Sequence, residues 1–457
     1  MLSPNTPTLP NTVTDPTHPA HRPDGSRPVA VVCGLAGWLP PRAVTNEELS
    51  QRLDTTDAWI RTRTGIGRRH FVDPGQATSD LAVEAGRRAL ESAGIESVDA
   101  VIVATTTPDR SCPATAPVVA DRLSLNGVAA FDVSAVCTGF VYGLASAAGL
   151  IAAGVARRVL LIGADTYSAI VDPDDRANAI IFGDGAGAVV LRAGHADELG
   201  AVTHFDLGSD GANEDLIMVA AGGSRQRADG ATRADQHFAM RGREVYRHAV
   251  TRMAGSARAV LERADWKVED VDHFVPHQAN LRILHSVADE LGLARTACVS
   301  NIESVGNTGA ASIPLALADA AARRAVRPGQ RILLTAFGGG LTWGSCVLRW
   351  PDLTASGTRR TTEETAHMST TYEQLVAIIA KLHDADPELV RPEASFAELD
   401  VDSLTMVEIS MRLERDLGIE VADNELRGDL TLDEAVRLID AKLDGPIGTP
   451  ATHHTKG

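Results

Sequence analysis

Three residues far apart in the chain could share one covalent reaction. Cys137 stands in SAVCTGFVYGL (134–144), between a β-branched approach and a Gly-containing apolar run that reads as the start of a helix. The unpaired N–H groups and partial positive charge of a helix start lower a thiol's pKa and favour the nucleophilic thiolate. His277, in FVPHQANLRI, follows a predicted strand, where it would face the ends of the neighbouring strands, the usual location of sites in open α/β sheets. Asn307, in SVGNTGAASIP, brings an amide with two N–H donors in a Gly-flanked turn, where a backbone can approach a ligand closely. Each has a plainer explanation alone: a buried cysteine usually packs, such a histidine is structural or solvated, and the asparagine caps a helix. Together, at sheet-end turns, they point to covalent acyl chemistry.

The elements that must hold these residues carry an internal repeat. VDAVIVATT from Val98 recurs as VDHFVPHQA from Val271, and VLLIGAD from Val159 as ILLTAFG from Ile332, both at a spacing of 173; CTGFVYGLASAAGLIAAG from Cys137 parallels NTGAASIPLALADAAARRA from Asn307 at 170. Three segments in one order imply a duplicated core, with Cys137 and Asn307 at equivalent helix starts. The rival reading is chance similarity among apolar strands. Each half alternates short buried strands with helices such as 79–94, the pattern of a mostly parallel sheet covered by helices.

Composition sets the frame. With 457 residues, 44% of them apolar, and no apolar run long enough to cross a bilayer, the expectation is a soluble chain of two to three domains. Residues 1–28 are rich in Pro, Thr and Asn without the apolar centre of a signal peptide, which predicts a disordered arm and a cytoplasmic protein. The five cysteines are scattered without a CxxC pair, so neither a disulfide framework nor a metal site is expected. A net charge of -17 argues against nucleic-acid binding through phosphates. Residues 371–445 hold 19 acidic and 7 basic side chains, a net of -12 and most of the total. The polar, Thr-rich stretch 352–370 reads as a linker between a large domain (29–351) and this small acidic one (371–445), followed by a disordered tail (446–457). In FAELDVDSLTMVEISMRLERDLGIEV (396–421), Leu404, Val407, Ile409, Met411 and Leu413 partly follow a helical period, and Ser403 reads on its own as an N-cap.

From about residue 29 to 350 the chain resembles the β-ketoacyl-acyl-carrier-protein synthase III family. The resemblance rests on WIRTRTGI (59–66), FDVSAVCTGF, IIFGDGAGAVVL (180–191), PHQANLRI, VGNTGAASIP and AFGGGLTWGS (336–345). It implies an α/β, thiolase-like fold of two duplicated halves layered α-β-α-β-α, a homodimer, and a Cys137-His277-Asn307 site at the bottom of a pantetheine tunnel. It further implies an oxyanion hole from the backbone N–H groups of Cys137 and Gly339, and acyl-CoA as donor with Trp59 and Arg176 on either side of the adenine. Thr55 and Asn280 would lie along the nucleotide and pantetheine, and Arg63 and Arg282 would contact a phosphate or an acidic carrier protein. Malonyl-carrier protein would be the extender. Cys112, in RSCPAT, stands where bacterial housekeeping members carry a bulky aromatic that limits the acyl pocket from the partner subunit, and the smaller side chain implies room for a longer or branched starter. The acidic segment in turn resembles an acyl carrier protein over its whole length, a small all-α four-helix domain. Ser403, beside Asp402, would carry 4'-phosphopantetheine installed by a phosphopantetheinyl transferase, although Asp400 replaces the Gly often found there. The whole implies an initiating ketosynthase with a built-in carrier, serving downstream fatty-acid or polyketide enzymes. The alternatives are a same-fold acyltransferase that does not decarboxylate, and a non-catalytic scaffold presenting the carrier.

Overall fold

A computed structural model describes residues 27–353 except Ala228, and beyond them 372, 375–376, 379, 391–399, 401, 406, 409–410, 413, 421 and 425–443. The chain divides into two compact units, Met1–Thr361 and Thr362–Gly457. The expected arm and tail, and all but Asp352 and Leu353 of the expected linker, lie largely or wholly outside the described residues.

The larger unit is built on nine principal strands: β1 (Val29–Trp38), β2 (Ala100–Ala104), β3 (Ala129–Val133), β4 (Arg158–Thr166), β5 (Asp184–Gly194), β6 (Val202–Ser209), β7 (His273–Pro276), β8 (Arg331–Gly338) and β9 (Thr342–Arg349). One sheet runs β1-β5-β4-β2-β3 and the other β7-β8-β9-β6. Strand β2 is parallel to both β3 and β4, while β4–β5 and β5–β1 are antiparallel. The second sheet repeats the scheme, with β7–β8 parallel, β8–β9 and β9–β6 antiparallel, and a lone parallel bridge from Phe274 to Cys298 where the counterpart of β3 would lie. The central strands are apolar on both faces because both are covered; all five residues of β2 are buried.

Helices α1 (Thr78–Ala93), α2 (Gly139–Ala152), α3 (Gly242–Arg263), α4 (Leu281–Leu291) and α5 (Ser312–Ala322) supply the cover. Phe140, Val141 and Leu144 of α2 and Ile313, Ala316 and Leu317 of α5 join one core with inward residues of both sheets, so these two helices form the middle layer. Leu81, Ala82, Ala85 and Ala89 of α1 cover the outer face of the first sheet, and Met253, Ala257 and Val260 of α3 that of the second. Five layers, α-β-α-β-α, result.

The repeat is regular, and it corrects one sequence-based pairing. The first residues of β2 and β7 (100, 273), of β4 and β8 (158, 331), of the short 3-10 turns before the middle helices (136, 309), and of α2 and α5 (139, 312) all differ by 173. The partner of Cys137 is therefore Ala310, and Asn307 lies three residues upstream of the equivalent position. The Thr-Gly pair shared by CTG and NTG matches at 170, whereas burial of the helix against the sheet sets the register at 173.

The smaller unit has its own core, in which Phe396, Ile409, Leu413, Leu432, Ala435 and Ile439 are buried. Met406, Ile409 and Leu413 recur at helical spacing, and α6 (Leu432–Leu443) begins with a reciprocal cap: the Glu434 N–H donates to Thr431 Oγ1 and the Thr431 N–H to the Glu434 carboxylate. Of the five apolar positions expected to follow a helical period, Ile409 and Leu413 join this core; Leu404, Val407 and Met411 lie outside the described residues.

Candidate active site

Cys137 sits in the 3-10 turn Val136–Thr138, between the end of β3 and the start of α2. Val136 has φ +48°, a left-handed conformation that a β-branched residue adopts only at a cost of about 1–3 kcal/mol. Tertiary bonds hold it there: Thr342 Oγ1 donates to the Ala135 carbonyl (3.2 Å) and lies 3.0 Å from Thr138 Oγ1. The strained step presents the cysteine at the tip of α2. The end of β8 presses on the same turn, since a Cβ at Gly338 would lie 2.8 Å from the Cys137 nitrogen and 3.1 Å from that of Thr138. Gly339, the expected second oxyanion donor, is the next residue.

His277 and Asn307 reach the same region from the other half. The His277 main-chain N–H donates to Thr335 O (2.9 Å), extending the β7–β8 ladder, and its Nδ1 lies 2.7 Å from Ser312 Oγ at the first residue of α5. Asn307 is pinned through its backbone, donating to Ile181 O and accepting from Gly183 N–H (2.9 Å each). Its Oδ1 accepts the Gly309 N–H (3.0 Å), which leaves the amide N–H donors without a hydrogen bond among the described residues. The 3-10 turn Gly309–Ala311 packs on the turn of Cys137. One loop, 307–312, thus starts with the amide, touches the turn bearing the thiol and ends on the hydroxyl that holds the imidazole. The three residues are 8%, 2% and 4% exposed, so a reaction among them would proceed away from bulk water.

Burial governs the proton affinities here, and it reverses the sequence expectation for the thiol. Cys137 is pushed up to about 12, by burial first and the nearby Asp165 carboxylate second, against the hydrogen-bonding contribution of Tyr167. The resting group is a thiol, because desolvation outweighs the helix start. His277 is pushed down to about 3 by burial alone, so its imidazole is neutral at physiological pH. A neutral imidazole can donate from one nitrogen and accept at the other.

Four contributors were not singled out from sequence. Ser312 orients His277 and also accepts the Gln278 N–H (3.3 Å). Gly338 packs on Cys137. Asp165, wholly buried, accepts from Thr106 N–H (2.6 Å) and Ala310 N–H (2.7 Å) and so ties the 307–312 loop to the end of β4; burial raises its carboxyl to about 7. Tyr167 places its hydroxyl 3.8 Å from Cys137 Sγ. A carboxylate inside the otherwise apolar VLLIGAD was the available signal for Asp165.

The residues expected to meet a nucleotide form a second group. The Arg63 and Arg176 guanidinium groups lie 4.5 and 5.1 Å from the centroid of the Trp59 ring, and Arg176 also donates to Asp54 O. Asn280 caps α4 by accepting the Arg282 N–H (2.9 Å) and donates to Arg63 O (3.1 Å), so it fixes the end of the Trp59 helix (Asp57–Thr64). Thr55 Oγ1 is buried, with no hydrogen-bond partner among the described residues. Arg282 is exposed at the α4 N-terminus, and Cys112 is exposed. A cleft of about 380 Å³, lined in part by Arg42, Arg52, Phe71 and Phe182, includes none of Cys137, His277 and Asn307. Among the described residues no group of His, Cys, Asp or Glu could hold a metal ion, and no helix is long and apolar enough to cross a membrane. Asp402 and Ser403 lie outside the described residues.

Comparison with known proteins decides the family. Residues 131–211 match 3-oxoacyl-[acyl-carrier-protein (ACP)] synthase III and 261–350 its C-terminal part. The chain is 60% identical over 327 residues to β-ketoacyl-[acyl-carrier-protein] synthase III 5 of Streptomyces coelicolor, covering 71% of this chain and 98% of that relative. It belongs to the β-ketoacyl-acyl-carrier-protein synthase III family. The crystal structure of 3-oxoacyl-(acyl carrier protein) synthase III from Pseudomonas aeruginosa PAO1 superimposes with a TM-score of 0.67 at 53% identity, over 71% of this chain and 99% of that one. The priming β-ketosynthase of the R1128 polyketide pathway does so with a TM-score of 0.67 at 34% identity, over 71% and 97%. Residues 373–439 match a phosphopantetheine attachment site, so the acidic unit is a carrier domain that bears covalent 4'-phosphopantetheine. The protein is therefore an acyltransferase, an initiating ketosynthase III fused to its own carrier.

Proposed function

We propose that this ketosynthase condenses an acyl-CoA starter with a malonyl-carrier thioester by decarboxylative Claisen condensation, and that the 3-oxoacyl product is held on the fused carrier. The observation that carries the reading is the shared 307–312 loop, which links Asn307, the turn of Cys137 and the Ser312 partner of His277. Cys137 Sγ attacks the starter thioester, its proton leaves, and the oxyanion meets the backbone N–H groups of Cys137 and Gly339; fixed donors of this kind contribute on the order of 3 kcal/mol each. CoA departs as the thiol and the acyl group stays on sulfur. The malonyl thioester then loses carbon dioxide, and the negative charge gathering on its thioester oxygen is met by His277 and Asn307. Ser312, accepting from Gln278 N–H, turns its own O–H to His277 Nδ1 and keeps the imidazole proton on Nε2, the donor this step needs. The carbanion attacks the acyl carbonyl, the S–acyl bond breaks, and the departing thiolate takes up a proton from solvent to restore the thiol.

Trp59, Arg63 and Arg176 are taken as the adenine and phosphate contacts, with the buried Thr55 hydroxyl along the same path. Arg282 is taken as a docking contact for the acidic carrier, and Cys112 as part of a widened acyl pocket. Ser403 is the attachment point. Val401 and Met406, both buried in the carrier core, bracket it in sequence, and a primary hydroxyl is the nucleophile a phosphodiester requires. The bound arm supplies a terminal thiol that holds acyl groups as thioesters. A phosphopantetheinyl transferase and downstream fatty-acid or polyketide enzymes are the partners, in the cytoplasm. A homodimer is favoured by the edge strand β3, which exposes Phe131 on the rim of the sheet. Residues 352–370 act as the tether between domains 29–351 and 371–445, raising the effective concentration of the carrier.

The test is mass spectrometry of the pantetheinylated full chain given candidate acyl-CoAs and malonyl-CoA. A 3-oxoacyl mass on Ser403, absent from the C137S and S403A variants, is expected. A plain acyl mass there instead would establish transfer without decarboxylation.

A further inference from the structure

Among the described residues, Tyr167 is the one side chain whose hydroxyl lies within hydrogen-bonding reach of the Cys137 sulfur, at 3.8 Å. Its ring is held on several sides. It stacks on Phe182 (centroids 4.4 Å apart, 15° between planes) and meets the edge of Phe238 at 5.7 Å. Gly309 has φ +56°, and a Cβ there would come 2.4 Å from Tyr167 Cε2, so the ring lies directly on the Asn307 loop. Tyr167 has no exposed surface. The hydroxyl is thus aimed by packing, not by chance rotation, with its oxygen toward Cys137 Sγ and its ring edge against the loop that carries the amide.

The thiol needs such a neighbour. It is buried, Asp165 opposes its ionisation, and the neutral His277 offers no compensating positive charge. We propose that the Tyr167 O–H is the hydrogen-bond donor that receives charge on Cys137 Sγ as the thiol gives up its proton, and so sets the reactivity of this nucleophile. The inference rests on Cys137 being the nucleophile of the reading above. A donor to a charged acceptor is worth more than one to a neutral acceptor, so the bond strengthens as the proton leaves and acts on the barrier more than on the resting state. An apolar side chain of the same volume would fill the space without this effect.

The experiment is alkylation of Cys137 in the full chain by iodoacetamide, read by peptide mass spectrometry. The S–C bond forms, iodide leaves and the thiol proton passes to buffer. Y167F keeps the ring and removes only the oxygen, and Y167L is the second variant should Y167F not fold. Both should alkylate about tenfold more slowly than the parent between about pH 8 and 10, a difference of about 1.4 kcal/mol, with melting temperature unchanged for Y167F. Replacing Tyr167 by 3-fluorotyrosine, a more acidic donor, should instead speed alkylation, which a purely space-filling role would not do. Equal rates for parent, Y167F and fluorotyrosine protein would overturn the proposal. Failure of acyl-CoA to label Cys137 in the parent chain would overturn the underlying reading instead, a separate and distinguishable outcome.

Discussion

Substituting Gly338 by Ala separates oxyanion stabilisation from thiol reactivity. Gly338 is not among the positive-φ residues, so alanine suits its backbone and the effect comes from crowding alone. The new methyl would lie 2.8 Å from Cys137 N, 3.1 Å from Thr138 N and 3.2 Å from Thr138 Oγ1. Two of these are main-chain atoms that no rotamer change can move. Restoring ordinary contact requires about 0.5 Å of separation between the end of β8 and the turn of Cys137, the two segments expected to supply the oxyanion donors. Losing one such donor costs on the order of a hundredfold in rate, about 2.7 kcal/mol. The assay is a pair of single-turnover measurements on Cys137: acylation by acyl-CoA, which forms a tetrahedral oxyanion, and alkylation by iodoacetamide, which does not. G338A should lose about a hundredfold in acylation and less than about threefold in alkylation. Equal losses in both, or none in either, would refute the assignment of this contact to the oxyanion hole.

Because burial holds the His277 imidazole at about 3, kcat for condensation should show no inflection near pH 6.5; one that disappears in H277Q would contradict the neutral histidine. S312A removes the partner of Nδ1 and should lower decarboxylation of the malonyl substrate about tenfold while leaving acylation of Cys137 nearly intact, as followed by carbon dioxide release. Asp165 is charged above about pH 7 and then disfavours the Cys137 thiolate, so D165N should speed alkylation above that pH and leave it unchanged well below; a uniform effect at all pH values would rule this out. W59A and R176A should raise KM for acyl-CoA about tenfold with little change in kcat, and leave short acyl thioesters without the nucleotide unaffected, in steady-state assays of both substrates.

The three candidate groups are legible in the sequence because they sit at punctuated turns: Cys137 ahead of an apolar helix, His277 after a buried strand, Asn307 between glycines. What could not be read is what each turn does to its residue. Helix position alone argued for an acidic thiol, yet the pKa depends on the water excluded by Gly338, Tyr167 and the 307–312 loop, all distant in sequence. The three-residue slip in the repeat has a similar origin, since letters match locally while register is set by which faces of α2 and α5 meet the two sheets. Ser312 and Tyr167 carry no such local signal, since one begins an apolar helix and the other follows a strand end. Only the packed structure gives them neighbours.

The electrostatics favour a mechanism that keeps its charges brief. With His277 neutral and Cys137 protonated, the resting site stores no thiolate-imidazolium pair, so no buried ion pair has to be desolvated and maintained between turnovers. Charge instead appears on the acyl oxyanion and later on the thioester oxygen of the extender, at places where N–H donors of Cys137, Gly339, His277 and Asn307 are proposed to converge. Donors fixed by backbone, as at Cys137 and in the pinned loop of Asn307, need little reorganisation when that charge arrives. The costs of holding them are visible elsewhere: left-handed Val136, the positive φ of Gly309, and a buried carboxyl at Asp165 bound to two main-chain N–H groups. Each of these lies where the two halves of the duplicated fold meet. The duplication therefore gives the enzyme more than a doubled core, because the seam between the halves is where a nucleophile from one can face donors from the other.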